Sequence, residues 1–245
     1  KIKHHLYGFH DVKKNFSTGD WLKLCIKKIK DIKKRKKVPI LVGGTGLYFK
    51  SLTDGLVKIP NIPIQFRNKI RKLHKDLGQK KFYQKLLKLD PNYKKNINPT
   101  DAQRSIRAYE VKLFTKKSLH EWFESTKSDF MDEEFYKIYI DYPRQDLIKR
   151  IATRTDEMLK SGAIPEVKRF IKLNVKKDKS VNKAIGIGEI KEFLRNKKKL
   201  SDISEKISIK TRQYAKRQST WARGNMKSWL KLMPEDLNKF LKKIK

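Results

Sequence analysis

The sequence is poor in cysteine, in acidic residues and in long apolar runs. Its one cysteine, Cys25, excludes an intramolecular disulfide and indicates a reducing compartment, so we expect a cytoplasmic protein. No apolar run approaches the roughly 18–20 residues that cross a bilayer, so we expect no membrane partner. The shortage of acids is large, because 62 Lys and Arg face 26 Asp and Glu for a formal net charge of +36.

That positive charge favours a polyanionic partner such as nucleic acid. A competing explanation stays open, because Lys far outnumbers Arg and a coding bias can place Lys at any tolerant surface position. The positions of the basic residues must therefore decide between the two.

The sequence also lacks a Walker phosphate loop. Neither G-x-x-x-x-G-K-[ST] nor G-x-G-x-x-G occurs in it. The nearest candidate is VPILVGGTGLY, where we predict a buried strand at Val38–Val42, a turn at Gly43–Gly46 and then a helix. Thr45 would then face a ligand crevice at the carboxyl end of the sheet. By spacing alone, an ordinary strand-to-helix turn explains the pattern better.

Composition divides the chain into an α/β core with a helical insertion. A capped helix after Ser17 and the strand that follows predict a parallel α/β sheet. Two prolines in IPNIP mark a linker, and we predict two basic helices after it, in Ile64–Leu89, divided at Gly78. No strand candidate follows the linker until Phe135–Tyr142. The predicted segments are 1–59 for the first part of the core, 60–131 for the insertion and 132–245 for the second part of the core.

The last predicted helix, from Asp202 to about Ala222, carries two basic stripes. The first contains Arg212, Lys216, Ser219 and Arg223, and the second contains Lys206, Lys210, Gln213 and Arg217. The apolar side chains predicted to anchor the helix are Ile203, Ile207, Tyr214 and Trp221. No acid interrupts the segment from Lys206 to Arg223, which favours binding to a nucleic-acid backbone or a diphosphate over a solvated face.

A smaller cluster lies in DAQRSIRAYE. Gln103, Arg104 and Arg107 fall on one face of a predicted helix, where an amide can contact a base edge and guanidiniums can bind phosphate. A salt bridge from Arg107 to Glu110 is the competing explanation, and spacing alone leaves the two balanced.

Other candidate residues are less specific. Arg150 and Arg154 lie one helical turn apart, where they can bind an anion or pair with the acids nearby. The histidines His4, His5 and His10 have no cysteine partner and are better explained as structural or surface residues than as metal ligands.

Six stretches together resemble the tRNA dimethylallyltransferases, also called tRNA isopentenyltransferases. In chain order they are HHLYGFHDVKKNFSTGDW, VPILVGGTGLYFKSLTDGL, DAQRSIRAYEVKLFTKKS, MLKSGAIPEVKRF, KAIGIGEI and RQYAKRQSTWARG. The resemblance implies a P-loop NTPase-like α/β core with a helical insertion that contacts tRNA. It also implies transfer of a dimethylallyl group from dimethylallyl diphosphate, with Mg²⁺, to the exocyclic amine of the adenine 3′ of the anticodon. We expect a monomer that binds the anticodon stem-loop.

The resemblance also implies roles for individual residues. Thr45 matches a threonine that faces the target adenine, Arg67 an arginine that contacts tRNA, and Arg154 an arginine that we assign to the diphosphate. No metal ligand is assigned within this sequence. The other tRNA-contacting positions that it implies are Gln103, Arg104, Ser105, Ile106, Arg107, Lys216, Arg217, Gln218, Ser219, Thr220, Trp221, Ala222 and Arg223.

The sequence departs from the family pattern at two places. Ile187 and Gly188 stand where the family usually has an aromatic and a basic residue, so the implied tRNA contact there lacks its usual side chains. The family's Walker-type loop and general-base Asp precede the histidine segment, and this sequence begins after both. We therefore expect the chain to bind tRNA but to transfer nothing alone.

Two rival functions stay open. An adenylate isopentenyltransferase would act on a free nucleotide, although neither the insertion nor the basic helix is needed for that. The other is a non-catalytic RNA-binding protein.

Overall fold

Helices account for most of the regular structure. The computed structural model describes residues 2–95, 98–195 and 198–243, and within them the chain forms ten α-helices and two short strands. They belong to two compact units, which are residues 51–131 and residues 1–50 together with 132–245. Across the described ranges, no helix is both long and apolar enough to cross a membrane.

The elements follow one another with short connections. The helices are α1 (Thr18–Lys34), α2 (Gly46–Thr53), α3 (Ile64–Leu89), α4 (Ala102–Thr115), α5 (Leu119–Glu124), α6 (Arg144–Met158), α7 (Ile164–Lys172), α8 (Ile187–Leu194), α9 (Leu200–Asn225) and α10 (Leu237–Lys243). The strands are β1 (Ile138–Ile140) and β2 (Leu230–Leu232). Short 3₁₀ turns occupy Pro91–Lys95, Asp132–Glu134, Ser180–Lys183 and Pro234–Asp236, and a π turn occupies Leu159–Ala163.

The predicted helix starts and breaks appear where the sequence signals place them. Ser17 Oγ accepts the Asp20 backbone N–H at 3.1 Å, and the Asp20 carboxylate accepts the Ser17 N–H at 3.0 Å, which confirms the capping box before α1. The predicted division at Gly78 is also confirmed, because Gly78 has a φ of 71° within α3. Glycine adopts that conformation without the steric cost of a Cβ.

The core of the unit 51–131 is formed by α3 and α4. Phe82, Leu86, Ala108 and Val111 are completely buried between or beside these helices. Burying a large apolar side chain such as Phe82 or Leu86 stabilises the fold by about 1.5–3 kcal/mol. The packing of α3 on α4 therefore provides most of the apolar stabilisation of this unit.

That unit begins at Ser51, earlier than residue 60, where composition places the insertion. The reason is a contact that no local pattern signals: Ser128 Oγ donates to the carbonyl oxygen of Leu52 at 2.7 Å. Gly55, with a φ of 94°, also lies against the Lys127 backbone, where a Cβ would approach the carbonyl oxygen to 2.3 Å. That the helical insertion contacts tRNA stays a prediction.

In the other unit, α9 packs against α6 and α8. Ile203 and Ile207 of α9 are buried with Ile190 of α8, and Leu159 and Val167 complete the cluster. The two predicted anchors Ile203 and Ile207 are therefore confirmed as core residues. They hold one side of α9 and leave the other side to solvent.

The sheet is small and parallel. Ile138 pairs with Leu230 and Ile140 with Leu232, so β1 and β2 run in the same direction. The predicted α/β class is thereby confirmed, while the strand predicted at Phe135–Tyr142 is shorter than expected. No strand was predicted at β2, because its three residues are too few to display alternation.

The predicted buried strand at Val38–Val42 is wrong. This segment forms neither helix nor strand, and Val38, Ile40 and Val42 are 83%, 76% and 84% exposed. A strand is stabilised by backbone hydrogen bonds to a neighbouring strand, and the only ladder in the described residues joins β1 to β2. An apolar β-branched run without such a neighbour remains irregular.

Candidate nucleic-acid interface

The exposed side of α9 is lined by cations without local counter-charges. Arg212, Lys216, Arg217 and Arg223 are all exposed, and none forms an ion pair with a carboxylate in the described parts of the chain. The Arg217 guanidinium lies 5.6 Å from the centre of the Tyr214 ring, which restricts its motion. A shallow cleft of about 490 Å³ follows this surface, lined by Gln213, Lys216, Arg217, Thr220 and Trp221.

Two members of the predicted stripes have structural partners instead. Lys206 Nζ pairs with Glu192 at 2.9 Å, and Lys210 pairs with the buried Glu189. Tyr214 is a further correction, because it is 40% exposed rather than an anchor in the core. The basic surface is therefore concentrated in the second half of α9, from Arg212 onward.

The glycine turn lies directly on this half of α9. Gln218 Nε2 donates to the carbonyl oxygen of Gly44 at 2.9 Å, although the two residues are 174 positions apart. Further along the same helix, Lys50 Nζ lies 3.4 Å from Asn225 Oδ1. Two points of contact therefore align the turn and α2 along the basic helix.

Gly46 is required at its position by the Trp221 ring. A Cβ built on Gly46 would lie 2.1 Å from Trp221 Cε3, well inside van der Waals contact. Trp221 is only half buried, so one part of its ring packs on the turn while the rest lines the cleft. The indole thus joins the turn to the proposed contact surface.

Thr45 is exposed at the start of α2, between these two contacts. Its carbonyl oxygen accepts the backbone N–H of Tyr48 at 3.0 Å, and the Tyr48 ring stacks on Trp21 of α1 at 4.4 Å. The turn is held from both sides, by α1 and by α9. Thr45 therefore lies between two residues that contact α9, with Gly44 against Gln218 and Gly46 against Trp221.

Arg154 lies on the exposed side of α6, the helix that packs against α9. The neighbouring acid that could have paired with it, Asp156, accepts instead from Ser204 Oγ at 2.6 Å. Arg150 contacts the Tyr142 hydroxyl oxygen at 3.3 Å. Both arginines are exposed and neither forms an ion pair with a carboxylate in the described residues, so both keep guanidinium donors for an anion.

The segment Gln103–Arg107 divides into exposed and buried residues. Gln103 and Arg104 are exposed, and Arg104 pairs with Asp101 at 3.4 Å. Ser105 is completely buried and donates to the Asp101 carbonyl oxygen at 2.7 Å, and Ile106 packs against the core cluster of α3 and α4.

These positions divide the set of predicted contacts, whose roles in binding stay predictions. The Ser105 side chain is fully buried and the Ile106 side chain is partly buried against the core, so both are less available to a ligand than Gln103 and Arg104. Ala222 is likewise buried on the inner side of α9. We therefore regard these three as packing residues and keep the exposed members as candidates.

Arg67 and Arg107 converge on one carboxylate. Arg67 Nε lies 3.4 Å and Arg107 Nη1 3.5 Å from Glu110 Oε2. The salt bridge considered as a competing explanation for Arg107 is thus present, and it includes Arg67 as well. The helical spacing indicated Glu110 as a partner of Arg107, but no sequence signal indicated that Arg67 reaches the same carboxylate.

The residues assembled here do not provide a site for Mg²⁺. That ion prefers carboxylate, phosphate and water oxygens in octahedral geometry. The candidate surface is instead cationic, and no group of three or more His, Cys, Asp or Glu residues suited to a metal ion occurs within the described ranges.

The fold and this surface together define an α/β protein with a helical unit and a basic helix that holds a glycine turn, suited to a nucleic acid or a diphosphate. Comparisons with known proteins narrow that class. The pattern of the family described as IPP transferase matches residues 1–225. The tRNA dimethylallyltransferase of Pelagibacter ubique (strain HTCC1062) is 59% identical over 244 residues, which are 100% of this chain and 78% of that protein.

More distant relatives have the same kind of name. The tRNA dimethylallyltransferase of Rickettsia massiliae (strain Mtu5) is 39% identical over 246 residues, covering 100% of this chain and 68% of that protein. A solved eukaryotic dimethylallyltransferase acting on tRNA has a TM-score of 0.80 at 26% identity, covering 99% of this chain and 64% of that one. The chain belongs to the IPP transferase family, and the resemblance seen in the sequence motifs is confirmed.

Proposed function

We propose that this chain binds the anticodon stem-loop of tRNA for a dimethylallyl transfer. The group passes from dimethylallyl diphosphate to the exocyclic N6 amine of the adenine 3′ of the anticodon, and we place the activity in the cytoplasm with the chain acting as a monomer. The observation that carries the proposal is the packing of the Thr45 turn on α9, through Gln218 and Trp221. It brings Thr45 close to a side of α9 whose four exposed cations have no carboxylate partner among the described residues.

The basic surface serves the RNA backbone. Phosphate contacts fix an RNA in position, and Arg212, Lys216, Arg217 and Arg223 offer guanidinium and ammonium donors along successive turns of α9. A stacked adenine cannot present its amine to an electrophile, so it must leave the anticodon stack. The half-exposed indole of Trp221 offers a flat apolar face on which an unstacked base can rest.

Thr45 and Arg154 serve the reacting groups. The Thr45 hydroxyl accepts a hydrogen bond from the adenine amine and orients its lone pair toward the first carbon of the dimethylallyl group. A C–N bond forms there as the C–O bond to diphosphate breaks, and the diphosphate leaves with the electron pair of that bond. The amine nitrogen then gives up one proton to the general-base Asp that the family resemblance implies. Arg154, which has no carboxylate partner in the described parts of the chain, stabilises that developing negative charge.

Neither rival function accounts for this surface as well. A free adenylate has no need for the row of exposed cations that follows α9 from Arg212 to Arg223. A protein that only binds RNA has no need for an exposed hydroxyl held in a glycine turn against its basic helix. Competition by tRNA and by AMP separates the first rival, because only tRNA should displace a bound stem-loop at low concentration.

The proposal is tested by binding of a labelled anticodon stem-loop that carries adenine 3′ of the anticodon. Affinity should fall as salt rises, with a logarithmic slope of about −0.7 to −0.9 for each phosphate contact. Lys216→Ala should weaken binding and reduce that slope by about one contact. Lys206→Ala is a matched control on the same helix, because Lys206 is already paired with Glu192.

Two results would overturn the proposal. One is a chain that does not bind the stem-loop at low salt. The other is an equal loss of affinity in Lys216→Ala and Lys206→Ala, which would assign the binding to diffuse charge rather than to this surface.

A further inference from the structure

The buried carboxylate of Glu110 contacts two arginines, Arg67 and Arg107, whose side chains are partly exposed. Glu110 lies on α4 with 2% of its side chain exposed, whereas the Arg67 and Arg107 side chains are 37% and 39% exposed. Both guanidiniums approach the same oxygen, Oε2. Arg67 belongs to α3 and Arg107 to α4, so the carboxylate joins the two packed helices of this unit.

A purely structural role explains this arrangement poorly. A buried carboxylate needs a partner, but one arginine suffices for neutrality, and well-packed apolar residues often stabilise a core better than buried ions. Here a second arginine is added, and the group carries a net charge of +1. Each guanidinium has five N–H donors, of which the contact with Oε2 occupies few, so both retain donors on their exposed side.

We propose that Glu110 is a positioning residue that holds Arg67 and Arg107 side by side as a clamp for one RNA backbone phosphate. The inference rests on the proposed function and adds how this unit binds the RNA. Two arginines fixed in advance lose less side-chain entropy on binding than two free ones, and their forked donors match phosphate oxygens. The ion pair of Arg107 with Glu110 thereby prepares the arginine for RNA instead of competing with it.

Glu110→Gln tests the inference because the two explanations predict opposite signs. If Glu110 contributes only a negative charge near RNA, its removal makes the chain more positive and should tighten binding. If Glu110 positions the arginines, binding of the anticodon stem-loop should weaken about threefold or more. The logarithmic salt slope should also become shallower by about one contact.

The matched control is Glu124→Gln in the same unit. Glu124 is exposed, and its one ion pair within the described ranges is with His120 at 3.3 Å, so this variant makes the same change of charge without touching the arginines. It should bind the stem-loop equally well or slightly more tightly than the unchanged chain. Thermal unfolding of both variants shows whether the fold is retained.

One further variant keeps the test decisive if Glu110→Gln fails to fold, and a second tests the coupling to the arginines if it does fold. Arg107→Lys keeps the charge but loses the fork, so it should weaken binding while unfolding at a similar temperature. In a chain that carries Arg67→Ala and Arg107→Ala, adding Glu110→Gln should no longer weaken binding, because the residues it positions are gone.

The inference is overturned if folded Glu110→Gln binds as tightly as Glu124→Gln, or if Arg107→Lys binds as well as the unchanged chain. Those results leave the proposed function intact, since that depends on α9. Failure of the unchanged chain to bind the stem-loop would instead refute the proposed function itself.

Discussion

Because Gly46 lies against Trp221, we expect Gly46→Ala to lower the free energy of unfolding. The added Cβ would lie 2.1 Å from Trp221 Cε3, 2.2 Å from Cζ3 and 2.6 Å from Cδ2. Non-bonded carbon atoms normally lie at least about 3.5 Å apart, so the Trp221 ring must move by roughly 1 Å or more. Gly46 is the first residue of α2, and its φ is not in the left-handed region, so the backbone itself accepts alanine.

The expected cost follows from two opposing effects. Overpacking of a fixed contact costs about 1–3 kcal/mol, whereas alanine in place of glycine in a helix gains up to about 0.5–1 kcal/mol. The net loss should be about 1–2 kcal/mol. For a chain of this size that lowers the melting temperature by about 3–6 °C. Binding of the stem-loop should weaken as well, because the Trp221 ring is displaced from the cleft.

Thermal and urea unfolding of three glycine variants measure this effect. Gly44→Ala meets only the flexible end of Gln218 and should cost about one hydrogen bond, or 0.5–1.5 kcal/mol. Gly188→Ala on α8 meets nothing within 4 Å and should be neutral or stabilising. If Gly46→Ala is as stable as Gly188→Ala, the packing of the glycine turn on α9 is refuted.

Three other predictions test separate parts of the structure. Burial raises the pKa of the Cys25 thiol to about 11, so the thiol should resist a maleimide at pH 8 and react only on unfolding. The contribution of the buried thiol to the free energy of unfolding should fall as pH rises from about 8.5 to 11. Rapid labelling of the folded chain would contradict this. Burial opposes ionisation of Glu189, but hydrogen bonds from Lys210 and Gly186 outweigh it and lower its pKa. Glu189→Ala should therefore cost about 1–3 kcal/mol in urea unfolding at pH 7, a difference that must shrink as pH falls below about 4.3. Arg154→Ala should weaken binding of inorganic pyrophosphate in calorimetry without changing stem-loop affinity, and equal losses in both would refute its assignment to the diphosphate.

Much of the helical architecture could be predicted from the sequence. The cap at Ser17 and the break at Gly78 rest on interactions between residues a few positions apart, which sequence patterns record directly. The six motifs were also sufficient to indicate the family, because they preserve local chemistry in a fixed order.

Strand formation at Val38–Val42 and at β2 could not be predicted correctly from local sequence patterns. A strand depends on a partner that is distant in the sequence, so an apolar β-branched run can remain unpaired while a three-residue segment finds its place beside β1. Pattern alone could not distinguish the two.

The candidate site depended on the same kind of distant contact. The sequence indicated Thr45 and the basic residues of α9 separately, but only the folded chain shows Gln218 bonded to Gly44. Likewise, the pairing of Arg107 with Glu110 was foreseeable from helical spacing, whereas the arrival of Arg67 from α3 was not. Residues on one helix are placed by its 3.6-residue repeat, but residues on different elements are brought together by the packing of their apolar faces.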